Sequence, residues 1–233
     1  MKTSLRRYGL HCLFSVLTLC GLPPALAAEG AVKIPAPALD QVVPADAPLD
    51  TAILAGGCFW GVQAVFQHTL GVTGAVSGYA GGSRETAHYD MVGSGGTGHA
   101  ETVKITFDPH KITYGKLLQI YFSVVQDPTQ LNRQGPDSGT QYRSAIFYKN
   151  DEQKRIAASY IAQLDAAKVY PARIVTQIAP YTAFYAAEDY HQDFATLHPT
   201  QGYIARFDLP KLDNLKRLFP SDYRAAAVTV SAR

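Results

Sequence analysis

Apolar positions along the chain recur with two periods, and the change from one period to the other predicts strands alternating with helices. Short apolar runs predict five strands, at 51–55, 72–79, 101–107, 144–148 and 172–178. Apolar residues spaced three or four apart predict helices over 59–67, 111–125, about 17 residues after the capping residue Asn150, and 209–219. Strands interleaved with helices and long polar loops are typical of an α/β or α+β sandwich.

The first 48 residues lack this pattern and divide into two segments. Basic residues near the start, an apolar stretch over about 10–22 and the small-x-small site Ala25-Leu26-Ala27 are typical of a secretory signal peptide. We therefore expect cleavage of 1–27, export and a periplasmic location. Residues 28–48, rich in proline and alanine, predict an extended tether. A single domain is expected over 49–223, followed by a tail at 224–233.

Cleavage would change both the charge and the cysteine count. Loss of the three basic residues of the leader leaves 18 basic against 19 acidic residues, a net charge of −1 instead of +2. This balance does not indicate binding to nucleic acid or to an anionic membrane surface. Cys20 leaves a lipoprotein signal open, although Leu19 is larger than the residue such signals carry. An ordinary cleavage after Ala27 removes Cys12 and Cys20.

Cys58 is then the one cysteine left. A lone cysteine in an exported protein is inert packing, an intermolecular link or a reactive thiol. Gly56 and Gly57 precede Cys58 and a predicted helix follows it, which places the sulfur at a strand-to-helix turn. Amide N–H groups and the helix dipole favour a thiolate there, and the thiolate is the nucleophile.

Glu101 is the second informative residue. Side chains alternate between the faces of a strand, so Glu101 falls on the same face as the apolar residues Val103, Ile105 and Phe107. Burial raises the pKa of a carboxyl, and a neutral acid can then donate a proton at neutral pH. The alternative is that Glu101 meets water at a frayed strand end.

Three polar side chains in irregular, glycine-bearing segments are further candidates. Tyr89 and Tyr142 are phenols in loops, where functional side chains concentrate, although either can equally be structural. Asp137 is placed to orient a tyrosine or a water, or it forms only an Asx turn.

Metal and phosphate chemistry are not indicated. His99 and His191 are candidate bases for a Cys–His system, but no Cys/His cluster has metal-ligand spacing and there is no C-x-x-C. We therefore expect no metal. The glycine-rich run 93–98 lacks the Lys-Ser/Thr of a phosphate loop and precedes a strand.

Several separated motifs, in order, resemble those of the class A peptide methionine sulfoxide reductases. They are GCFWG at 57–61, SGYAGG at 77–82, TGHAE at 97–101, DPT at 127–129, GTQYRS at 139–144 and AEDYHQ at 187–192. The resemblance covers about 51–219. It implies a mixed β-sheet with a ferredoxin-like core flanked by helices, and reduction of the S epimer of methionine sulfoxide, peptide-bound or free, in protein repair.

The resemblance also implies roles for seven residues. Cys58 matches the nucleophile that attacks the sulfoxide sulfur, and Glu101 matches the acid that protonates its oxygen. Tyr89 and Tyr142 match the phenols that bind this oxygen. The residues that match substrate-binding positions are Phe59 and Trp60, an apolar wall for the methionine methyl group, and Asp137.

The sequence departs from much of this family in its recycling apparatus. Many members resolve the sulfenic acid with a C-terminal cysteine, and Ile204 stands at that position here. Gly93 replaces a second cysteine of some relatives, and Phe194 replaces a tyrosine. We therefore expect an enzyme with no bound cofactor, recycled by an external thiol such as a thioredoxin-like or glutaredoxin-like protein or a small thiol. We expect a monomer, with oxidised proteins and peptides as substrates.

Two alternatives from other classes remain. An exported cysteine hydrolase using Cys58 with His99 or His191 would turn over without a reductant. A binding module with a packing or dimerising cysteine would show an unreactive Cys58 or a symmetric disulfide.

Overall fold

The computed structural model of the protein describes residues 30–231, so the expected signal peptide and cleavage site, together with Cys12 and Cys20, lie outside the described residues. The strands are β1 Asp50–Gly56, β2 Val72–Ala80, β3 Ala100–Phe107, β4 Arg133–Gln134, β5 Asp137–Ser138, β6 Ser144–Tyr148, β7 Gln177–Pro180 and β8 Phe184–Ala186. The α-helices are α1 Phe59–Gln67, α2 Tyr89–Val92, α3 Tyr114–Ile120, α4 Asp151–Ala166, α5 Phe194–Leu197 and α6 Leu209–Leu218. Within residues 30–231, every helix is too short or too polar to cross a membrane.

One six-stranded mixed sheet organises the domain, in the order β7-β6-β1-β3-β2-β8. Only β6 and β7 pair in parallel, and the other neighbours are antiparallel. The elements β1, α1, β2, β3, α3 and β6 follow one another along the chain as βαββαβ, and the four strands among them lie in the order β6-β1-β3-β2 in the sheet. This is the ferredoxin-like arrangement, and it confirms the expected fold class.

The alternation of side chains along β1 divides the core between the two faces of the sheet. Ala52 and Leu54 join a large apolar cluster with α1, α3 and α4, whereas Ile53 and Ala55 join a smaller cluster on the other face. Burial of the large cluster holds α1 against β2 and β3, so the start of α1 is fixed over the sheet.

The predicted helix after Asn150 is confirmed together with its cap. The Asn150 side chain accepts a hydrogen bond from the Gln153 N–H at 2.8 Å, and the Gln153 side chain accepts one from the Lys149 N–H at 3.1 Å. Ile156 and Leu164, in the predicted apolar stripe, are fully buried.

Two predicted elements differ in their bounds. The strand expected at 172–178 is wrong over most of its length, because the Ile174 N–H donates to the Asp165 carboxylate and the Val175 N–H donates to the Pro128 carbonyl. Strand pairing begins only at Gln177. The helix expected over 111–125 starts later, because the Thr113 hydroxyl caps it, and it continues beyond α3 as a π-helical turn, Tyr121–Val125.

The segment before the domain is extended but is not free of it. Tyr160 donates its hydroxyl proton to the Pro35 carbonyl at 2.6 Å, and the Gln119 side chain donates to the Ile34 carbonyl at 3.1 Å. Asp40 accepts from the Gly115 N–H at 2.8 Å. Residues 30–48 therefore cover α3 and α4, which differs from a free tether. The division of the chain at 27, 48 and 223 stays a prediction.

The expected tail is likewise attached. The Asp193 carboxylate accepts hydrogen bonds from the N–H groups of Val230 and Ser231, both at 2.9 Å, and Arg224 donates to the carbonyls of Thr69 and Val72. The C-terminal segment thus runs back to the end of α1.

Candidate active site

Cys58 lies at the turn between β1 and α1, as its sequence context predicts. Gly57 takes φ +88°, and a Cβ there would lie 2.6 Å from the Gln134 Cβ, so the turn requires glycine on two counts. Cys58 is the N-cap residue of α1 and is 8% exposed. It is the free cysteine of the described residues.

The electrostatics of Cys58 differ from the sequence expectation of a thiolate. Burial raises the pKa of the thiol well above its ordinary value, and the charges of Glu101 and Asp208 raise it further. The Trp60 N–H, which bonds to the sulfur, lowers the pKa but does not outweigh burial. The resting form in this structure is therefore the thiol, because the helix N-terminus contributes less than desolvation costs.

Glu101 lies on the buried face of β3, directly beneath the start of α1. Its Oε2 accepts a hydrogen bond from the Phe59 N–H at 3.0 Å, and the residue is 4% exposed. Burial raises the pKa of Glu101 to about 8, against the opposing effect of the Phe59 N–H. The carboxyl is therefore a neutral acid near pH 7. It is bonded to the N–H of Phe59, the residue that follows Cys58.

Tyr89 and Tyr142 reach the same site from separate loops. Tyr89 opens α2 after the glycine-rich turn that follows β2, and Tyr142 ends a 3₁₀ turn, Thr140–Tyr142. Burial, followed by the charge of Glu101, raises the pKa of both phenols, and the charge of Cys58 adds to each. Both phenols therefore stay protonated donors beside the acid and the thiol.

An aromatic wall continues from Cys58 along the first turn of α1. Trp60 donates its indole N–H to His191 Nδ1 at 3.3 Å and stacks on Phe194 with ring centroids 4.0 Å apart. The His191 ring lies between Phe59, at 5.1 Å, and Tyr89, at 4.4 Å. His191 thus links the wall to one of the phenols, a role that the AEDYHQ motif alone did not reveal.

Asp137 lies on another side of the sulfur. It accepts a hydrogen bond from the Tyr203 hydroxyl, and both residues line a small cavity with Cys58. Burial raises the pKa of Asp137, whereas Tyr203 and Lys211 lower it. The structure therefore brings the other six predicted site residues around Cys58.

Three further residues near Cys58 were missed by sequence reasoning: Tyr203, Asp208 and Lys211. Asp208 and Lys211 form a buried ion pair, with Oδ1 and Nζ 3.7 Å apart. Their spacing of three residues across the start of the predicted helix at 209 was the available signal.

The candidate histidine bases have other partners. Both ring nitrogens of His99 bond to the loop after β2, at the Gly82 N–H and the Ser83 carbonyl. His191 Nδ1 is taken by the Trp60 indole. Both nitrogens of His99 and the accepting nitrogen of His191 are thus already bonded, which argues against the hydrolase alternative. In the described part of the chain, no group of three His, Cys, Asp or Glu side chains could hold a metal ion.

The chain matches one protein family and several relatives of known name. A family model described as peptide methionine sulfoxide reductase matches residues 50–222. A peptide methionine sulfoxide reductase MsrA 2 from Mesorhizobium japonicum is 65% identical over 181 residues, which cover 78% of this chain and 93% of that protein. A peptide methionine sulfoxide reductase MsrA 2 from Synechocystis is 47% identical over 176 residues, which cover 76% of this chain and 82% of that protein.

Solved structures agree with the sequence relatives. Methionine sulfoxide reductase A of Corynebacterium diphtheriae superposes with a TM-score of 0.57 at 31% identity, over 77% of this chain and 92% of that one. Mxr1 of Saccharomyces cerevisiae in its reduced form gives a TM-score of 0.59 at 31% identity, over 70% and 92%.

Proposed function

Because the chain belongs to the peptide methionine sulfoxide reductase family, it is an oxidoreductase that reduces methionine sulfoxide in protein repair, and we propose that Cys58 and Glu101 carry the chemistry. The observation that carries this assignment is the buried Glu101 carboxyl, held by the Phe59 N–H beside Cys58, with a pKa of about 8. Reduction of a sulfoxide requires a protonated acid close to a sulfur nucleophile.

The proposed reaction begins with polarisation of the sulfoxide. Glu101 donates its proton to the sulfoxide oxygen, and the phenols of Tyr89 and Tyr142 hydrogen-bond to the same oxygen. The positive charge that develops on the substrate sulfur stabilises the Cys58 thiolate, which offsets the burial that raises the thiol pKa. The balance is thiol plus sulfoxide giving sulfenic acid plus thioether: the oxygen passes to Cys58 Sγ, which loses two electrons, and methionine leaves.

The aromatic wall supports a substrate with a small apolar group beside its sulfur. Phe59 is fully buried, and Trp60 is held by His191 and Phe194, so the wall is rigid. A methyl group against this wall, with the oxygen toward Glu101, leaves one direction for the remaining chain. The site is therefore proposed to accept one epimer, which by family resemblance is the S epimer, and Asp137 with Tyr203 borders it.

Recycling is proposed to use an external thiol. Ile204, at the position where relatives place a resolving cysteine, is fully buried against Ala64 and Ala195. Cys58 is the free cysteine of residues 30–231. A thioredoxin-like or glutaredoxin-like protein or a small thiol would therefore reduce the sulfenic acid through a mixed disulfide.

Export to the periplasm, after cleavage at residue 27, remains a proposal from the leader sequence, as does a monomeric state. Recovery of a mature N-terminus at Ala28 from a periplasmic fraction would support the first, and sedimentation at the mass of one chain the second.

The deciding experiment measures turnover of resolved S and R epimers of a blocked methionine sulfoxide with dithiothreitol, for the wild type and Cys58→Ser. We expect reduction of the S epimer alone, abolished in the serine variant. Turnover of neither epimer by folded wild-type protein would contradict the assignment, as would activity that survives in Cys58→Ser.

A further inference from the structure

A buried ion pair lies against the first turn of α1, next to Cys58. Asp208 and Lys211 leave 0% and 9% of their side-chain surfaces exposed. A Cβ at Gly61 would lie 2.2 Å from Asp208 Oδ1 and 3.1 Å from Lys211 Nζ, so only glycine lets the pair approach the helix this closely. The pair therefore sits three residues along α1 from the reacting sulfur.

Lys211 and Cys58 also share a cavity. The space is about 10 Å³, close to the size of one water-sized group, and its remaining lining is Gln134, Gly135, Pro136, Asp137, Tyr203 and Phe207. An oxygen bound to Cys58 Sγ and turned into this space would fill it. That oxygen would then face the Lys211 ammonium.

The charges around the sulfur make this lysine distinctive. Glu101, Asp208 and Asp137 all act on Cys58, and each raises the pKa of its thiol. Among the eight residues that line the cavity, Lys211 is the one cation. Neither Asp208 carboxylate oxygen has a hydrogen-bond partner within the described residues, although both are buried. The Asp208 carboxylate therefore pairs with Lys211, which holds the Lys211 Nζ beside the cavity.

We propose that Lys211, positioned by Asp208, serves the recycling of Cys58: its ammonium donates a hydrogen bond to the sulfenic oxygen and then the proton with which that oxygen leaves as water. This inference rests on the proposed function, because reduction of a sulfoxide is the step of that function that creates the sulfenic acid. It assigns Lys211 to the second half-reaction, whereas Glu101 serves the first.

The step balances as follows. The thiolate of an external thiol attacks Cys58 Sγ, an S–S bond forms and the S–O bond breaks, and the Lys211 proton converts the leaving hydroxide to water. The neutral amine regains a proton from a second thiol molecule. That second thiolate attacks the outer sulfur of the mixed disulfide and releases Cys58 and a disulfide of the external thiol.

The test separates the two half-reactions in Lys211→Met, Lys211→Arg and the control Lys216→Met, which removes an exposed lysine from the same helix. One equivalent of the S sulfoxide is added without thiol and released methionine is counted. Dithiothreitol is then added, and the remaining sulfenic acid is trapped with dimedone over time.

We expect Lys211→Met to release methionine at a rate within about twofold of wild type but to lose its sulfenic acid at least about tenfold more slowly. Lys216→Met should match wild type, and Lys211→Arg should recover part of the loss.

A buffer series distinguishes proton donation from a merely structural role. Added imidazolium should accelerate recycling in Lys211→Met, by supplying the missing proton, and should leave the wild type unchanged. Equal losses in both half-reactions, recycling within twofold of wild type, or no response to imidazolium would overturn the proposal. If Lys211→Met does not fold, the neutral pair Asp208→Asn/Lys211→Met takes the same tests. Absence of methionine release from the wild type would instead contradict the proposed function.

Discussion

At Glu101, burial and a single amide donor act in opposite directions on one carboxyl. Burial wins, so the pKa rises to about 8 although the Phe59 N–H favours the charged form. The neighbouring thiol is shifted in the same direction by the same desolvation. The resting site therefore holds two protons, and in the proposed reaction both move: one to the sulfoxide oxygen, the other away from Cys58.

The rate of methionine release should depend on the Glu101 proton. In single turnover, the wild-type rate constant should fall as pH rises through about 8, because the acid becomes deprotonated. Glu101→Gln keeps an acceptor for the Phe59 N–H but has no proton to give, so we expect a loss on the order of 100-fold at pH 7 and no fall near pH 8. Glu85→Gln, an exposed carboxyl, is the control. A loss of less than tenfold in Glu101→Gln would indicate that hydrogen bonding, not proton transfer, is what the carboxyl supplies.

The same carboxyl should make stability depend on pH. Its folded pKa, about 8, lies above its ordinary value of 4.5, so the folded state holds the proton more tightly. The resulting stabilisation is complete below about pH 4.5 and is lost as pH rises through 8, on the order of 3–5 kcal/mol of unfolding free energy. Urea denaturation at several pH values should show this decline in the wild type and a flatter dependence in Glu101→Gln. Parallel profiles for the two proteins would mean that Glu101 is charged in the folded state at neutral pH.

At the scale of elements, the turn between β1 and α1 fixes the nucleophile. Gly57→Ala forces a residue with a Cβ into φ +88° and against Gln134, at a cost on the order of 1–3 kcal/mol. We expect a lower midpoint of thermal unfolding and a loss of kcat/KM larger than the loss of folded protein, because Cys58 must move. Gly202→Ala, where no atom lies within 4 Å of the added Cβ, is the matched control. Unchanged kinetics in Gly57→Ala would show that the turn tolerates displacement.

Elements with a local signal were predictable, and those made by distant partners were not. Hydrophobic periods of 2 and 3.6 residues predicted the bounds of β1, α1 and β6 closely, because the apolar positions of these segments are the ones that enter the core. The strand at 172–178 failed because its amides bond to Asp165 and Pro128, contacts that no local pattern encodes. The π-helical turn Tyr121–Val125 also leaves no periodic signature.

The site shows the same division. Cys58 and Glu101 could be singled out from their own surroundings, a turn and a strand face. The three-residue spacing of Asp208 and Lys211 was only a weak signal, because their importance arises where the start of α6 packs against α1 at Gly61. The expected thiolate was wrong for a related reason, since the depth of burial around Cys58 is a property of the assembled fold.

At the scale of the whole molecule, the two ends of the described chain brace the domain. Residues 30–48 bond to α3 and α4, and the C-terminal segment closes on Asp193. Asp193 takes φ +57° immediately before Phe194, which stacks on Trp60. The C-terminal segment is thereby linked to the aromatic wall through a single residue.

Removal of the C-terminal segment should disturb the aromatic wall. Ending the chain at residue 227 takes away the N–H groups of Val230 and Ser231, which we expect to lower the unfolding free energy by about 1–3 kcal/mol. Trp60 is the one tryptophan of the chain, so its fluorescence reports directly on the stacking with Phe194. We expect a shifted emission spectrum and a higher KM for the S sulfoxide, with Asp193→Asn intermediate and the exposed Asp213→Asn unchanged.

The pH dependence of this effect has a defined sign. Burial raises the pKa of Asp193, but the N–H donors of Val230 and Ser231 and the Gln67 side chain outweigh it, so the folded pKa lies below its ordinary value of 3.8. A carboxyl of this kind contributes stability above its unfolded pKa and loses it as pH falls through the folded one. The stability difference between the full chain and the chain ending at 227 should therefore be constant from pH 5 to 7 and shrink below pH 4. A difference that persists unchanged at pH 2, or an emission spectrum that ignores the truncation, would mean that the C-terminal segment packs on the domain without holding the aromatic wall.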